Sequence, residues 1–84
     1  MIINLKNKKD LITVDISSRQ IRYLKDFSKH GEIQFISLSN DDVNGYSYLW
    51  NHDKKIFKKT VAEDVHSFLG IKVNPKNLVV MGGK

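Results

Sequence analysis

The sequence predicts one small α+β domain in which a mixed or antiparallel sheet packs against two helices. Apolar residues make up 40% of the 84 residues and charged residues 27%, which is the composition of an ordinary globular protein. Apolar positions alternate with period two in several short stretches and recur at helical spacing in two others. No repeat or low-complexity linker divides the chain, so we expect a single domain over residues 1–84 with a flexible tail at 82–84.

The first two strands form a predicted hairpin. Residues 2–5 are a short apolar run, and within residues 11–16 the side chains at 12, 14 and 16 share one face of a strand. Asn7 and Lys8 lie between these stretches, where they favour a tight antiparallel turn.

A helix is predicted next, over residues 18–30. Ser17 precedes Gln20 by three residues, which is the spacing of a capping box, and Gly31 supplies a left-handed stop. The apolar face of this helix recurs at helical spacing and consists of Ile21, Leu24 and Phe27.

Three further strands are predicted in the middle of the chain. Within residues 32–38, the apolar side chains fall first on one face of the expected strand and then on the other. This change of face is typical of a bulge or of a central strand covered on both faces. The Asn44-Gly45 pair favours a tight turn, so we expect the returning strand at residues 46–50. A further short strand is expected around Ile56.

The last elements are a predicted second helix and a final strand. Thr60 and Glu63 have the spacing of another capping box, and Gly70 closes the helix expected over residues 61–69. Residues 78–81 predict the last strand, which completes the order β-β-α-β-β-β-α-β. The expected core combines apolar positions from all of these elements: Ile12, Val14, Ile16, Ile21, Leu24, Phe27, Phe35, Val65 and Leu69.

The composition excludes several classes of protein. The chain has no cysteine, so neither disulfides nor a thiolate zinc site can stabilise it, and we expect a cytoplasmic protein. The longest apolar stretches are far too short for a membrane span, and the short apolar start resembles no export signal. A domain of this size has a thin core, so homo-oligomerisation or a bound partner would add stability.

The net charge of +5 has two interpretations. Clustered cations release counterions from phosphates, which points to nucleic acid as a partner. The basic residues are mostly lysine, however, and lysine, isoleucine and asparagine share A/T-rich codons, so the bias is also explained by the base composition of a genome.

The predicted strand 46–50 supplies the clearest candidate for a binding surface. Tyr46, Tyr48 and Trp50 would share one face of that strand, where exposed rings could stack on the bases of single-stranded nucleic acid. Phosphate contacts would then come from the neighbouring lysines Lys54, Lys55, Lys58 and Lys59. The alternatives are that the aromatic face packs in the core or forms a protein interface.

A second candidate surface is a ridge on the first predicted helix. Arg22, Lys25 and Lys29 have helical spacing, so all three would point in one direction and could follow a phosphate backbone. The alternative is an ordinary solvated face.

Catalytic and metal sites have little support in the sequence. Glu63 and His66 form an E-x-x-H pair, but a di-iron site needs further carboxylates on long helices. His52 and Asp53 bring an imidazole and an acid together, without an identifiable nucleophile. The acidic pair at 41–42 has the composition of a turn.

The sequence therefore predicts a small non-enzymatic binding module without a cofactor or metal, which contacts nucleic acid through a basic and aromatic face. The alternative function is a protein-binding regulator or inhibitor of a bacterial protein, of the kind that phages and mobile elements encode. No membrane partner is expected.

Overall fold

The computed structural model describes residues 1–28 and 31–83. It confirms an α+β fold with an antiparallel sheet and two helices, but the elements follow the order β-β-β-β-α-α-β. The strands are β1 (Ile2–Asn7), β2 (Asp10–Asp15), β3 (Gln20–Leu24), β4 (Ile33–Ser37) and β5 (Val79–Gly83). The helices are α1 (Asn40–His52) and α2 (Lys54–Leu69), and a 3₁₀ turn, Pro75–Asn77, precedes β5.

The five strands form one antiparallel sheet in the order β4-β3-β2-β1-β5. The first four strands are a meander, because each pairs with the next one along the chain. The two helices then carry the chain to the opposite edge, where β5 pairs with β1. Consequently β4 and β5 are the two edge strands.

The hydrophobic core lies between one face of the sheet and the two helices. The largest fully buried side chains include Tyr23 from the sheet and Phe57 from α2. Around them pack buried aliphatic residues from both layers: Ile3, Leu5, Ile12, Val14, Ile21, Ile36, Val61, Val65 and Leu78. Of the predicted core, Ile12, Val14, Ile21 and Val65 are buried, Ile16, Leu24 and Leu69 are partly buried, and Phe27 and Phe35 are exposed.

The predicted helix over residues 18–30 is wrong, because its centre is the strand β3. Ile21 and Tyr23 lie opposite Val14 and Ile12 of β2, and this cross-strand burial outweighs the helical spacing of the apolar residues. Ser17 is therefore no helix cap; its hydroxyl accepts a hydrogen bond from the N-terminal amine. The predicted positions Lys29 and His30 lie outside the described residues.

The predicted turn at Asn44-Gly45 and the strand 46–50 are also wrong, because both lie within α1. The true start of this helix is a capping box in which Ser39 and Asp42 bond each other's backbone amides. Asp41 and Asp42 thus occupy the first helical turn, where carboxylates interact favourably with the helix dipole, and not the predicted loop turn.

The second helix is longer than predicted. It begins at Lys54 under an Asp53 cap, so the expected strand around Ile56 is helical and Thr60 lies inside the helix. Its end is confirmed: Gly70 has a φ of 70° and its amide bonds back to His66.

The other strand predictions agree with the structure. The β1–β2 hairpin and the strands at β4 and β5 are confirmed, although Gly82 and Gly83 belong to β5 and not to a tail. Lys84 lies outside the described residues. The switch of apolar side chains from one face of β4 to the other marks neither a bulge nor a central position. β4 is an edge strand, and its first half is exposed.

Candidate functional site

A basic groove of about 780 Å³ lies between the N-terminal half of α2 and the 3₁₀ turn. Its walls are formed by eight residues, Asp53, Lys54, Lys55, Ile56, Lys58, Lys59, Pro75 and Lys76. The four lysines predicted to contact phosphate are therefore brought together in the structure, along one helix, and Lys76 joins them from a distant part of the chain.

The fold positions the lysines by anchoring α2 to the sheet. Phe57, Val61 and Val65 are fully buried, whereas Lys54, Lys55 and Lys59 are exposed and project away from the core. Lys55 and Lys59 are four residues apart and thus lie on the same side of the helix. On the opposite wall, the Asn74 side chain accepts a hydrogen bond from the amide of Lys76 and caps the 3₁₀ turn.

The groove carries unbalanced positive charge. Five lysines line it and only one carboxylate, Asp53, whose side chain already accepts the amide of Ile56. Within residues 1–28 and 31–83, Arg22 and Asp15 form an ion pair, and none of the groove lysines is paired with a carboxylate of these residues. Like charges four residues apart on a helix destabilise it by about 0.2–0.5 kcal/mol per pair, and α2 has two such lysine pairs, at 54/58 and 55/59.

The aromatic residues do not form the predicted platform. On a helix, Tyr46 and Trp50 are four residues apart and lie on the same side, whereas Tyr48 projects in a different direction, so the three rings no longer share one face. Tyr46 is buried and packs edge-on against Phe57. Trp50 is half-buried against the same ring, while Tyr48 is 63% exposed and packs against His52.

Trp50 contacts one residue of the basic groove, Lys54, although it does not line the groove itself. The ammonium group of Lys54 lies 4.5 Å from the centre of the Trp50 ring, within the range of a cation–π interaction. One of the three predicted aromatic residues is therefore adjacent to the lysine cluster, and it orients one of the lysines.

Tyr46 is tied to α2 by a buried polar contact. Its hydroxyl donates a hydrogen bond to the carboxylate of Asp64. Burial raises the pKa of both groups above their ordinary values, and the neighbouring charges of Asp42 and Glu63 act in the same direction. Because Asp64 accepts this bond while Tyr46 packs on Phe57, the contact fixes α1 against α2.

Arg22 and Lys25 of the predicted ridge do not lie on a helix, and Lys29 lies outside the described residues. Arg22 lies on β3, where its guanidinium donates to Asp15 at 2.9 Å. The backbone amide of Ser18 also donates to Asp15 and, more than any other contact, lowers the pKa of that carboxyl. Lys25 follows the end of β3 and is exposed.

A second cleft, of about 700 Å³, adjoins the basic groove and shares Lys59 and Pro75 with it. At its base the hydroxyl of Tyr23 donates to the carboxylate of Asp10. Burial, together with this bond, raises the pKa of Tyr23 to about 12. Lys8 and Lys72 also line the cleft, together with the carboxylates of Asp10 and Glu63.

The residues considered for catalysis do not form a constellation. Glu63 and His66 are exposed on α2, and the part of the chain that the structure describes contains no group of three His, Asp or Glu side chains placed to hold a metal ion. Asp53, next to His52, caps α2 and also ends α1, so its carboxylate has a structural role at the helix junction.

The uncovered face of the sheet carries exposed apolar side chains among polar ones, a feature that the sequence did not predict. A row of facing residues crosses all five strands and consists of Val79, Lys6, Leu11, Leu24 and Ile33. Phe35 lies on the same face beside this row, and both Phe35 and Val79 are more than half exposed.

Lys76 is absent from the predicted binding residues, since only the packing of the 3₁₀ turn against α2 brings it to the lysine run.

No helix within the described ranges has the length and apolar character needed to cross a membrane. Comparisons of the chain with family models, with curated proteins and with solved structures found no match.

Proposed function

We propose that this protein is a non-enzymatic module that binds nucleic acid through the basic groove. The observation that supports the proposal most is the convergence of five lysines from two separate segments on one groove that has a single carboxylate. Phosphates would neutralise these charges and release counterions, which is the main source of affinity in such interfaces.

The arrangement favours a flexible, single-stranded ligand. Lys55 and Lys59 are one helical turn apart, roughly 6 Å along the axis, which is close to the spacing of phosphates in an extended strand. Trp50 is only half-buried and lies beside Lys54, which supports contact with a base at one end of the groove. Lys8 and Lys72 in the adjoining cleft support an extended path for the strand.

The proposal predicts a specific salt dependence. The double variant Lys55→Gln/Lys59→Gln removes two phosphate contacts, so the slope of log K against log salt should become shallower by about 1.4 for a single strand. Fluorescence anisotropy of a labelled mixed-sequence oligonucleotide, measured at several salt concentrations, gives this slope.

The matched control is Lys6→Gln/Lys25→Gln, which removes two exposed charges that do not line the groove. It should leave the slope nearly unchanged, because Lys6 lies on β1 and Lys25 follows the end of β3. Equal effects of both variants would show that net charge, and not the groove, governs binding; absence of binding at low salt would reject nucleic acid as the ligand.

A second candidate function, a protein-binding regulator, is favoured by the uncovered sheet face. An exposed apolar surface with charged surroundings is typical of protein interfaces, and here Ile33, Phe35 and Val79 are exposed beside Lys6 and Arg22. This function would be preferred if Phe35→Ser abolished binding to a cellular partner while the groove variant did not.

A further inference from the structure

The edge strand β4 exposes unused backbone hydrogen-bonding groups. The amide of Leu38 donates to the carbonyl of Arg19, and the amide of Lys25 donates to the carbonyl of Glu32. These two facing pairs are therefore hydrogen-bonded pairs of the antiparallel ladder. Bonded pairs alternate along antiparallel strands, so residues 34 and 36 also bond to β3. Ile33, Phe35 and Ser37 therefore direct their N–H and C=O groups away from the sheet.

The same strand lacks the features that normally protect an edge. Residues 33–37 contain no lysine, no proline and no other charged residue, and their pairing with β3 has no bulge. Ile33 and Phe35 are 50% and 56% exposed. The opposite edge differs, because the β1–β5 pairing has a register irregularity next to Asn4 and ends at two glycines.

We propose that β4 pairs antiparallel with β4 of a second copy of this chain, around a two-fold axis at Phe35. In this register Phe35 faces Phe35 of the second copy, and Ile33 faces its Ser37. Each of these facing pairs exchanges two backbone hydrogen bonds, which gives about six bonds between the copies. The two sheets thereby become one continuous sheet.

Charge and symmetry both identify the occupant as a second copy. The net charge of +5 disfavours contacts between lysine-bearing surfaces of two copies, whereas the stretch 33–37 is uncharged. Pairing of β4 with itself is isologous and closes as a dimer, while pairing of β4 with β5 would continue as a filament. A small domain also gains stability from burying more apolar surface.

The interface between two short strands is small, so we expect a reversible dimer with a dissociation constant of about micromolar order. Sedimentation equilibrium without nucleic acid, from micromolar to millimolar protein, should show a monomer–dimer equilibrium. A monomer throughout this range, or growth beyond the dimer, would overturn the proposal.

Two charge variants test the position of the axis. Phe35→Lys and Phe35→Glu each place like charges directly opposite one another, so each alone should dimerise about tenfold more weakly than the natural chain. An equimolar mixture should recover the dimer, because the two charges then attract across the axis. Circular dichroism establishes that both variants are folded, as expected for a position that is 56% exposed.

The matched control is Val79→Lys on the other edge strand, at a side chain that is 59% exposed. It should dimerise like the natural chain. If Val79→Lys weakened the dimer as much as Phe35→Lys, or if the mixture of charge variants stayed monomeric, the β4 pairing would be wrong.

Discussion

Two carboxylates show how strongly the surroundings of a single residue determine its chemistry in this fold. Asp15 accepts hydrogen bonds from the amide of Ser18 and the guanidinium of Arg22, and its pKa is lowered. Asp64 accepts one hydroxyl, from Tyr46, and burial raises its pKa. The pKa of the same kind of side chain is thus shifted in opposite directions at two places in one small protein.

We therefore predict that the titration midpoints of these two residues lie on opposite sides of the ordinary aspartate pKa. In a carboxyl ¹³C NMR titration, the midpoint of Asp15 should lie below the ordinary value of 3.8 and that of Asp64 above it. Tyr46→Phe should raise the Asp64 midpoint further, since the hydroxyl favours the ionised carboxylate. Equal midpoints for Asp15 and Asp64 would contradict the hydrogen bonds described.

Asp15 should also make the fold sensitive to acid. Its folded-state pKa is depressed, so its contribution to stability is present above the unfolded value of 3.8 and is lost as the pH falls through the folded value. Asp15→Asn should lower the free energy of unfolding near neutral pH by about 1–3 kcal/mol, because charged hydrogen bonds are lost. Urea unfolding at two pH values measures this, and the difference should shrink in acid.

At the scale of the elements, the sequence predicted those strands whose signals agree with one another. The β1–β2 hairpin was predictable, because its alternating residues and its turn are local. β3 was not, since its apolar residues fit both periods and only pairing with β2 decides between them. In α1, the Asn44-Gly45 pair suggested a turn, while the true helix start at Ser39 uses Asp42 in place of the usual Glu or Gln.

Glycine substitutions distinguish the observed α1 from the predicted turn. Gly45→Ala should stabilise the protein by about 0.5–1 kcal/mol, because alanine suits a helix interior and a Cβ at Gly45 meets no atom within 4 Å. Gly70→Ala should have the opposite sign, since its φ of 70° strains any side chain. Destabilisation by Gly45→Ala in urea unfolding would favour the turn.

The start of α2 can be tested in the same way. Asp53→Ala should lose about 1 kcal/mol of stability, because its side chain caps the amide of Ile56. Thr60→Ala, at the start predicted from the sequence, should change stability by much less because the residue lies within the helix. A larger loss at Thr60 than at Asp53 in thermal unfolding would place the helix start where the sequence suggested.

At the scale of the whole molecule, the proposed binding surface could be predicted only in part. The lysine run on α2 was identified from the sequence, since its members are neighbours along the chain. Lys76 could not be, because it reaches the groove only through the packing of the 3₁₀ turn against α2. The aromatic platform depended on a strand, and it disappeared when residues 46–50 proved helical.

The two proposed surfaces are compatible in one assembly. The basic groove involves α2 and the 3₁₀ turn, whereas the proposed dimer contact involves the β4 edge of the sheet. A dimer would present two basic grooves, so it should bind a long single strand more tightly than two separate monomers do. The difference between long and short oligonucleotides should therefore be reduced in Phe35→Lys.

The most direct test of the central claim is an amide ¹H–¹⁵N NMR titration with a short single-stranded oligonucleotide at low salt. We predict chemical-shift changes concentrated at residues 54–59 and around Lys76, with little change at β3 or β4. Changes concentrated on the uncovered sheet face, or no changes at all, would contradict the assignment of the basic groove as the nucleic-acid surface.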